Sequence, residues 1–391
     1  MNRILTLLSF LIFTNLCFSQ TKGIEKNVNF TKNYISKHKG KTTINIPEVS
    51  ELVNIIMALH KDAEKDNNMF DTKTDYYKEV KNYFAPYRTH PILDTIQKYI
   101  SDIKYYDQYG ANMFSRESYG YYYALKMNAC TYEFSNDGKI KNNGTVKEVA
   151  KGWYMFDPMK DIKLFEDFAR KSNFRKFYKN HKNYYNGLIT TYNQLNPVQK
   201  MQKWLDNKFG FGYGSYAIYF SPLVNGAHST QRFEDNGFTQ TMMFINRAEL
   251  DKEYSKTINE LLESRVVFTE IDHNYVNPVS DRHLEKIKYS FSNLEKWAMS
   301  DVLTTYNSAY KVFNEYMTFA VYSLYILDNY KEDEFKEYLP MLEKKMVEQR
   351  KFIKFKEFNR TFIEKYRLNK NIKPDELYIY MLNWAENINK K

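Results

Sequence analysis

The chain is poor in the residues that punctuate and cross-link. Of 391 residues, only 13 are Gly, 9 are Pro and 2 are Cys. A many-stranded sandwich or propeller needs more turn residues than this, so a helix-rich fold is favoured. Two cysteines, Cys17 and Cys130, are too few for a disulfide scaffold or a cysteine-rich metal site. Net charge of one sign is also modest: 57 basic side chains against 47 acidic ones give +10, too balanced for a disordered chain. What is abundant is aromatic, with 35 Tyr and 28 Phe.

The first residues set the compartment. Arg3 is followed by an apolar run from Ile4 to Phe18 and the small-residue end Ser19-Gln20. This pattern predicts a secretory signal peptide over residues 1–20, because a spanning helix needs about 20 apolar residues. Leu16 before Cys17 fits a lipid-anchor signal poorly. Removal of the leader leaves Cys130 alone, so the exported protein, periplasmic or extracellular, relies on its core. Cys130 reads as a buried strand residue. Export argues against nucleic acid as partner. The basic group Lys344, Lys345, Arg350, Lys351, Lys354 and Lys356 alternates with apolar residues at helical spacing and reads as a solvated helix face, with peripheral contact to an anionic envelope as the lesser option.

Helical periodicity predicts helices at 47–64, 71–83, 90–105, 161–195 and 252–275, the last ending before Pro278. Further helices are expected at 283–306, 309–330, 332–358 and 374–388. The segment 119–156 reads as a hairpin region around Ser135-Asn136-Asp137-Gly138 and Asn142-Asn143-Gly144. Two strands are expected at 215–221 and 238–246, joined by a polar loop carrying His228. The fold class is therefore α+β, mostly α. A small mixed sheet feeds one helix, and a helical C-terminal subdomain follows. The domain division expected is a leader at 1–20, a helical and hairpin region at 21–157, and a second domain at 158–391.

One stretch carries chemistry: Phe268-Thr269-Glu270-Ile271-Asp272-His273-Asn274-Tyr275-Val276-Asn277-Pro278. Residues 269 and 273 share a helix face, and Glu270 lies three before His273. Zinc peptidases use this spacing as His-Glu-x-x-His, with two imidazoles on the metal and the Glu taking a proton from bound water. Here Thr269 stands in the first position. A neutral hydroxyl is a poor zinc ligand. Asp272, His283 and His228 are the other side chains that could complete a site, and Tyr275 a candidate hydrogen-bond donor to a developing oxyanion. Glu315 lies on a later helix.

These residues resemble a family of secreted bacterial zincin-like proteins of the gluzincin type, whose block ends in His-Glu-Phe-x-His, an aromatic or Val, and Asn-Pro. The match is carried by Phe268, Glu270, His273, Val276, Asn277 and Pro278, with Tyr83-Phe84-Ala85-Pro86-Tyr87-Arg88-Thr89-His90-Pro91 resembling that family's N-terminal region. The resemblance implies Glu270 as general base, His273 and Glu315 as metal ligands, a substrate strand along Phe238–Asn246, and a peptide or protein as partner. With Thr269 in place of the first ligand, it implies zinc held weakly or not at all, and an impaired or inactive metallopeptidase homologue. A weak metallopeptidase and an aromatic-rich glycan- or peptide-binding envelope protein are the alternatives.

Overall fold

The computed structural model describes residues 26–390 except 62, 66–68, 102–118, 152–156 and 227. The expected leader and Cys17 lie outside the described residues. The fold is α+β and mostly helical. In chain order the helices are α1 (Lys32–His38), α2 (Glu48–Leu59), α3 (Asp75–Tyr83), α4 (Pro91–Ser101), α5 (Tyr119–Ala129), α6 (Ile162–Lys171), α7 (Phe174–Asn180), α8 (Lys182–Leu195) and α9 (Val198–Phe209), followed by α10 (Lys256–Arg282), α11 (Leu284–Ser290), α12 (Ala309–Asn329), α13 (Glu332–Lys344), α14 (Phe355–Leu368) and α15 (Pro374–Lys390). Side-chain caps start several of them: Ser255 accepts from the Ile258 amide at α10, and Ser308 from Lys311 at α12.

The main sheet has the order β1-β4-β6-β5, built from β1 (Thr42–Asn45), β4 (Ser215–Tyr219), β6 (Phe238–Phe244) and β5 (Ser229–Asp235). β1, β4 and β6 run parallel, and β5 pairs antiparallel with β6 on the outer edge. A separate hairpin joins β2 (Tyr132–Phe134) to β3 (Ile140–Asn142). Period-two alternation divides the sheet between two cores. Tyr216, Ile218 and Met243 enter the main core, while Ala217, Met242 and Phe244 face the smaller core built on Phe30, Ala124, Met127 and Val146. The main core runs from Ile46 to Ala385. The expected division after residue 157 therefore coincides with no break in core or sheet, since β1 belongs to the same sheet as β4–β6.

Several elements differ from expectation. The segment Tyr119–Ala129 is a helix, because burial of Tyr121, Tyr122, Ala124 and Leu125 overrides the strand preference of its tyrosines. Cys130 follows that helix in a turn and is buried and free, and burial pushes its thiol up. Val198–Phe209 is a further helix, closed by Gly210 at φ 76°. The loop expected around His228 contains β5, turned into β6 by Asn236 (φ 52°) and Gly237 (φ 68°). β5 is thus an edge strand, as β1 is on the other side, and the expected substrate strand Phe238–Asn246 is internal.

Helix α10 does not stop before Pro278 but runs through it to Arg282. Proline removes the amide that would bond the Asn274 carbonyl. The Tyr213 hydroxyl donates to that carbonyl at 2.5 Å and fills the missing rung. The basic segment expected as one helix from 332 to 358 is also interrupted. A π turn spans Lys345–Gln349, and Lys351 takes φ 63° before α14 begins. No helix among the described residues is long and apolar enough to cross a membrane, including the apolar run Met317–Leu327 in α12.

Candidate functional site

The site is laid out by α10, α12 and β5. Helix α10 packs along α12, where Tyr322 donates to the Leu261 carbonyl at 2.7 Å and Ser280 donates to Asn314 at 2.5 Å. This packing fixes the register in which His273 of α10 meets Glu315 of α12. The His273 Nε2 lies 3.8 Å from Glu315 Oε1, and the other ring nitrogen lies 3.4 Å from Asn277 Oδ1. Glu270, on the neighbouring face of the helix, reaches the sheet edge, where the Thr230 hydroxyl of β5 donates to its Oε2 at 2.8 Å.

Thr269 is buried, and its hydroxyl donates to the Val266 carbonyl of its own helix at 3.1 Å. Its lone pairs sit on a small neutral oxygen drawn back toward the backbone. The Glu315 carboxylate is engaged as well. Its Oε2 accepts from Arg350 at 2.6 Å, and the same guanidinium nitrogen contacts the Tyr306 hydroxyl at 2.8 Å. The guanidinium also lies over the Phe319 and Phe352 rings, at 4.9 and 5.7 Å. Burial and Glu315 push the Tyr306 phenol up to about 12, so it stays a neutral donor. The basic segment read as a solvated face therefore turns one of its cations inward onto the carboxylate.

The other candidates are placed elsewhere. Asp272 is fully buried, with neither carboxyl oxygen bonded, and burial followed by the charges of Glu315 and Glu270 raises its carboxyl well above the ordinary range. His283 pairs with Asp375 at 2.9 Å and does not swing back. His228 Nε2 meets Asn246 at 3.0 Å; burial lowers its imidazolium and Glu270 opposes that effect. The Tyr275 hydroxyl donates to Asp206 at 2.5 Å inside the core, so it faces no oxyanion position. His90 is a helix-entry residue whose Nε2 pairs with Asp167 at 3.1 Å.

The residues present do not suit zinc. Zinc in proteins takes thiolate, imidazole or carboxylate donors, usually at least three in a catalytic site. His273 and one oxygen of Glu315 are the donors that converge, and a guanidinium already neutralises the carboxylate. Among the described residues no group of three or more His, Cys, Asp and Glu side chains converges to hold a metal ion. Thr230, Tyr306 and Arg350 are the site residues that sequence reasoning missed. Thr230 had a usable signal, the Asn236-Gly237 turn that predicts a strand on each side. Nothing in a lysine-rich run distinguishes the one arginine that turns inward.

No family model, curated protein or solved structure matches the chain.

Proposed function

We propose that the protein is an exported zincin-like binding protein, an inactive homologue of a metallopeptidase that holds a peptide or protein segment beside β5 without metal. The ion pair of Arg350 with Glu315 carries this reading. A guanidinium supplies the positive charge at the carboxylate, and Thr269 supplies no second imidazole beside His273. β5 supports the binding half of the reading. It is an edge strand, and among the described residues no strand pairs with its outer side. An extended segment can add there through main-chain hydrogen bonds. Thr230 joins that edge directly to Glu270.

Retained Glu270 and the 3.8 Å approach of His273 to Glu315 favour a second reading, a weak metallopeptidase. A glycan platform is disfavoured, because many of the aromatic rings lie buried in the core.

The test compares the mature wild-type protein with Thr269→His/Arg350→Met. Wild type is expected to retain no stoichiometric zinc after dialysis and to cleave no peptide. The double variant restores one imidazole and frees Glu315, and is expected to bind about one zinc per chain. Chelator-sensitive peptide hydrolysis by wild type overturns the binding reading in favour of the enzyme.

A further inference from the structure

Positive charge gathers near the stripe of α10 that carries Thr269, where Arg265 and Arg350 both act on Lys345. Arg265 stands one helical turn before Thr269 on the same stripe of α10. Lys345 and Arg350 come from the two ends of the π turn, whose Arg350 amide closes onto the Lys345 carbonyl at 2.9 Å. Such turns recur at functional sites because they re-aim side chains out of helical register. The segment behind it is pinned by backbone bonds, from Met299 to the Lys351 carbonyl at 3.1 Å and from Ile353 to the Trp297 carbonyl at 3.0 Å. The cations are therefore held rather than splayed into solvent.

The donors exceed the acceptors that meet them. The Nε of Arg265 and the Nε of Arg350 are both buried and bonded to nothing. Arg265 meets the neutral Tyr338 hydroxyl. Lys345 donates to Gln349 at 3.3 Å and, among the described residues, makes no salt bridge. Burial, then repulsion from Arg265 and Arg350, pushes its ammonium down to about 8. Few acids face the group. Glu315 is taken by Arg350 and His273. Glu263 faces Arg265 but is itself pushed up by burial to about 7. Glu270 is turned to Thr230. Like charges gathered at a partly buried site, with unsatisfied donors, are a poor structural arrangement and a good anion receptor.

We propose that Arg265, Lys345 and Arg350 form a carboxylate-recognition site beside Thr269, and that the segment bound along β5 presents a carboxylate to it. The inference rests on the binding reading above and names the chemistry of the partner, an acidic peptide. The carboxylate comes from an acidic side chain or from a free C-terminus.

Short fluorescent peptides of alternating Val and Thr test it by polarisation, with chelator present throughout. One pair carries a central Glu or Gln, the other a free or amidated C-terminus. A charge-assisted pair of hydrogen bonds is expected to favour the acid over its amide by about 10–100-fold. The pair that shows this preference identifies which carboxylate is read. Lys345→Gln and Arg265→Gln are each expected to reduce the acid-over-amide preference by roughly tenfold. Lys345 is half-buried at the end of α13, so its variant tests the site even where Arg265→Gln perturbs folding. Equal affinity for acid and amide overturns the carboxylate site but leaves peptide binding standing. A preference that survives both substitutions also overturns it. Failure to bind any of the peptides overturns the binding reading and this inference together.

Discussion

Replacing Arg350 by Met isolates the charge that stands at Glu315. Methionine keeps an unbranched stem against Phe319 and Phe352 and removes the guanidinium. The Glu315 side chain is 11% exposed and that of Arg350 is 31% exposed. Breaking a buried pair by deleting one member costs about 3–5 kcal/mol, because the remaining charge stays desolvated. Water reaches roughly a third of Arg350 and screens part of the pair, so about 2–3 kcal/mol is expected for Arg350→Met. The reverse deletion, Glu315→Gln, leaves its uncompensated charge on the more hydrated partner and should cost less, about 1–2 kcal/mol. The double variant should cost less than the sum of the two, with a coupling of about 1–2 kcal/mol. Chemical denaturation followed by fluorescence of the buried Trp297 measures all three. A cost below about 0.5 kcal/mol for Arg350→Met, the range of ordinary surface changes, would refute the assignment of Arg350 as the counter-charge of Glu315.

Two further outcomes follow from the core and the helix. Glu51 is fully buried, accepts from Tyr76 at 2.8 Å, and is pushed by burial up to about 7. Its folded value exceeds its unfolded one, so its contribution is fully present below the unfolded value and is lost as pH rises through 7, a loss of roughly 3 kcal/mol. Glu51→Gln keeps an acceptor for Tyr76 and should flatten that slope in a pH series of denaturation midpoints; parallel wild-type and variant curves would count against it. Tyr213→Phe strips the Asn274 carbonyl of its substitute donor at Pro278 and should cost about 1–2 kcal/mol. Amide exchange should quicken in the turn around Pro278, and unchanged exchange there would show that another donor fills the rung.

The site helix was legible because its apolar residues keep helical spacing and its polar ones carry a recognisable order. β4 and the middle of α12 were legible as largely apolar runs, and β6 as a short run of β-branched and apolar residues around Gln240. β5 was not, because an edge strand exposes one side and needs few apolar residues: only Phe233 is a large apolar residue in Ser229–Asp235. Its turn signal, Asn236-Gly237, was local and strong and predicts a strand through Thr230, but the contact with Glu270 depends on how the helix packs on the sheet. The extent of α10 was masked by Pro278, whose missing hydrogen bond is replaced by a tyrosine from a glycine-rich turn far away in sequence. The His273–Glu315 meeting depends on the register of α10 on α12, which the sequence spacing suggested and could not fix. Arg350 was illegible for a different reason. Its inward turn depends on the π turn and on Lys351 at positive φ, and neither has a compositional signature in a run of lysines.

Tyr213 has a second contact. Its hydroxyl, which completes the rung at Asn274, also receives Arg232 of β5 at 3.2 Å, and the guanidinium lies 4.7 Å from its ring centre. One phenol thus connects the sheet edge to the backbone of the helix that carries Glu270 and His273. A segment adding to β5 and drawing Arg232 outward pulls on the atom that stands in for a helical hydrogen bond. The edge strand and the helix turn at Pro278 thus share one phenol, so a change that moves Arg232 also reaches the donor that stands in for a helical hydrogen bond.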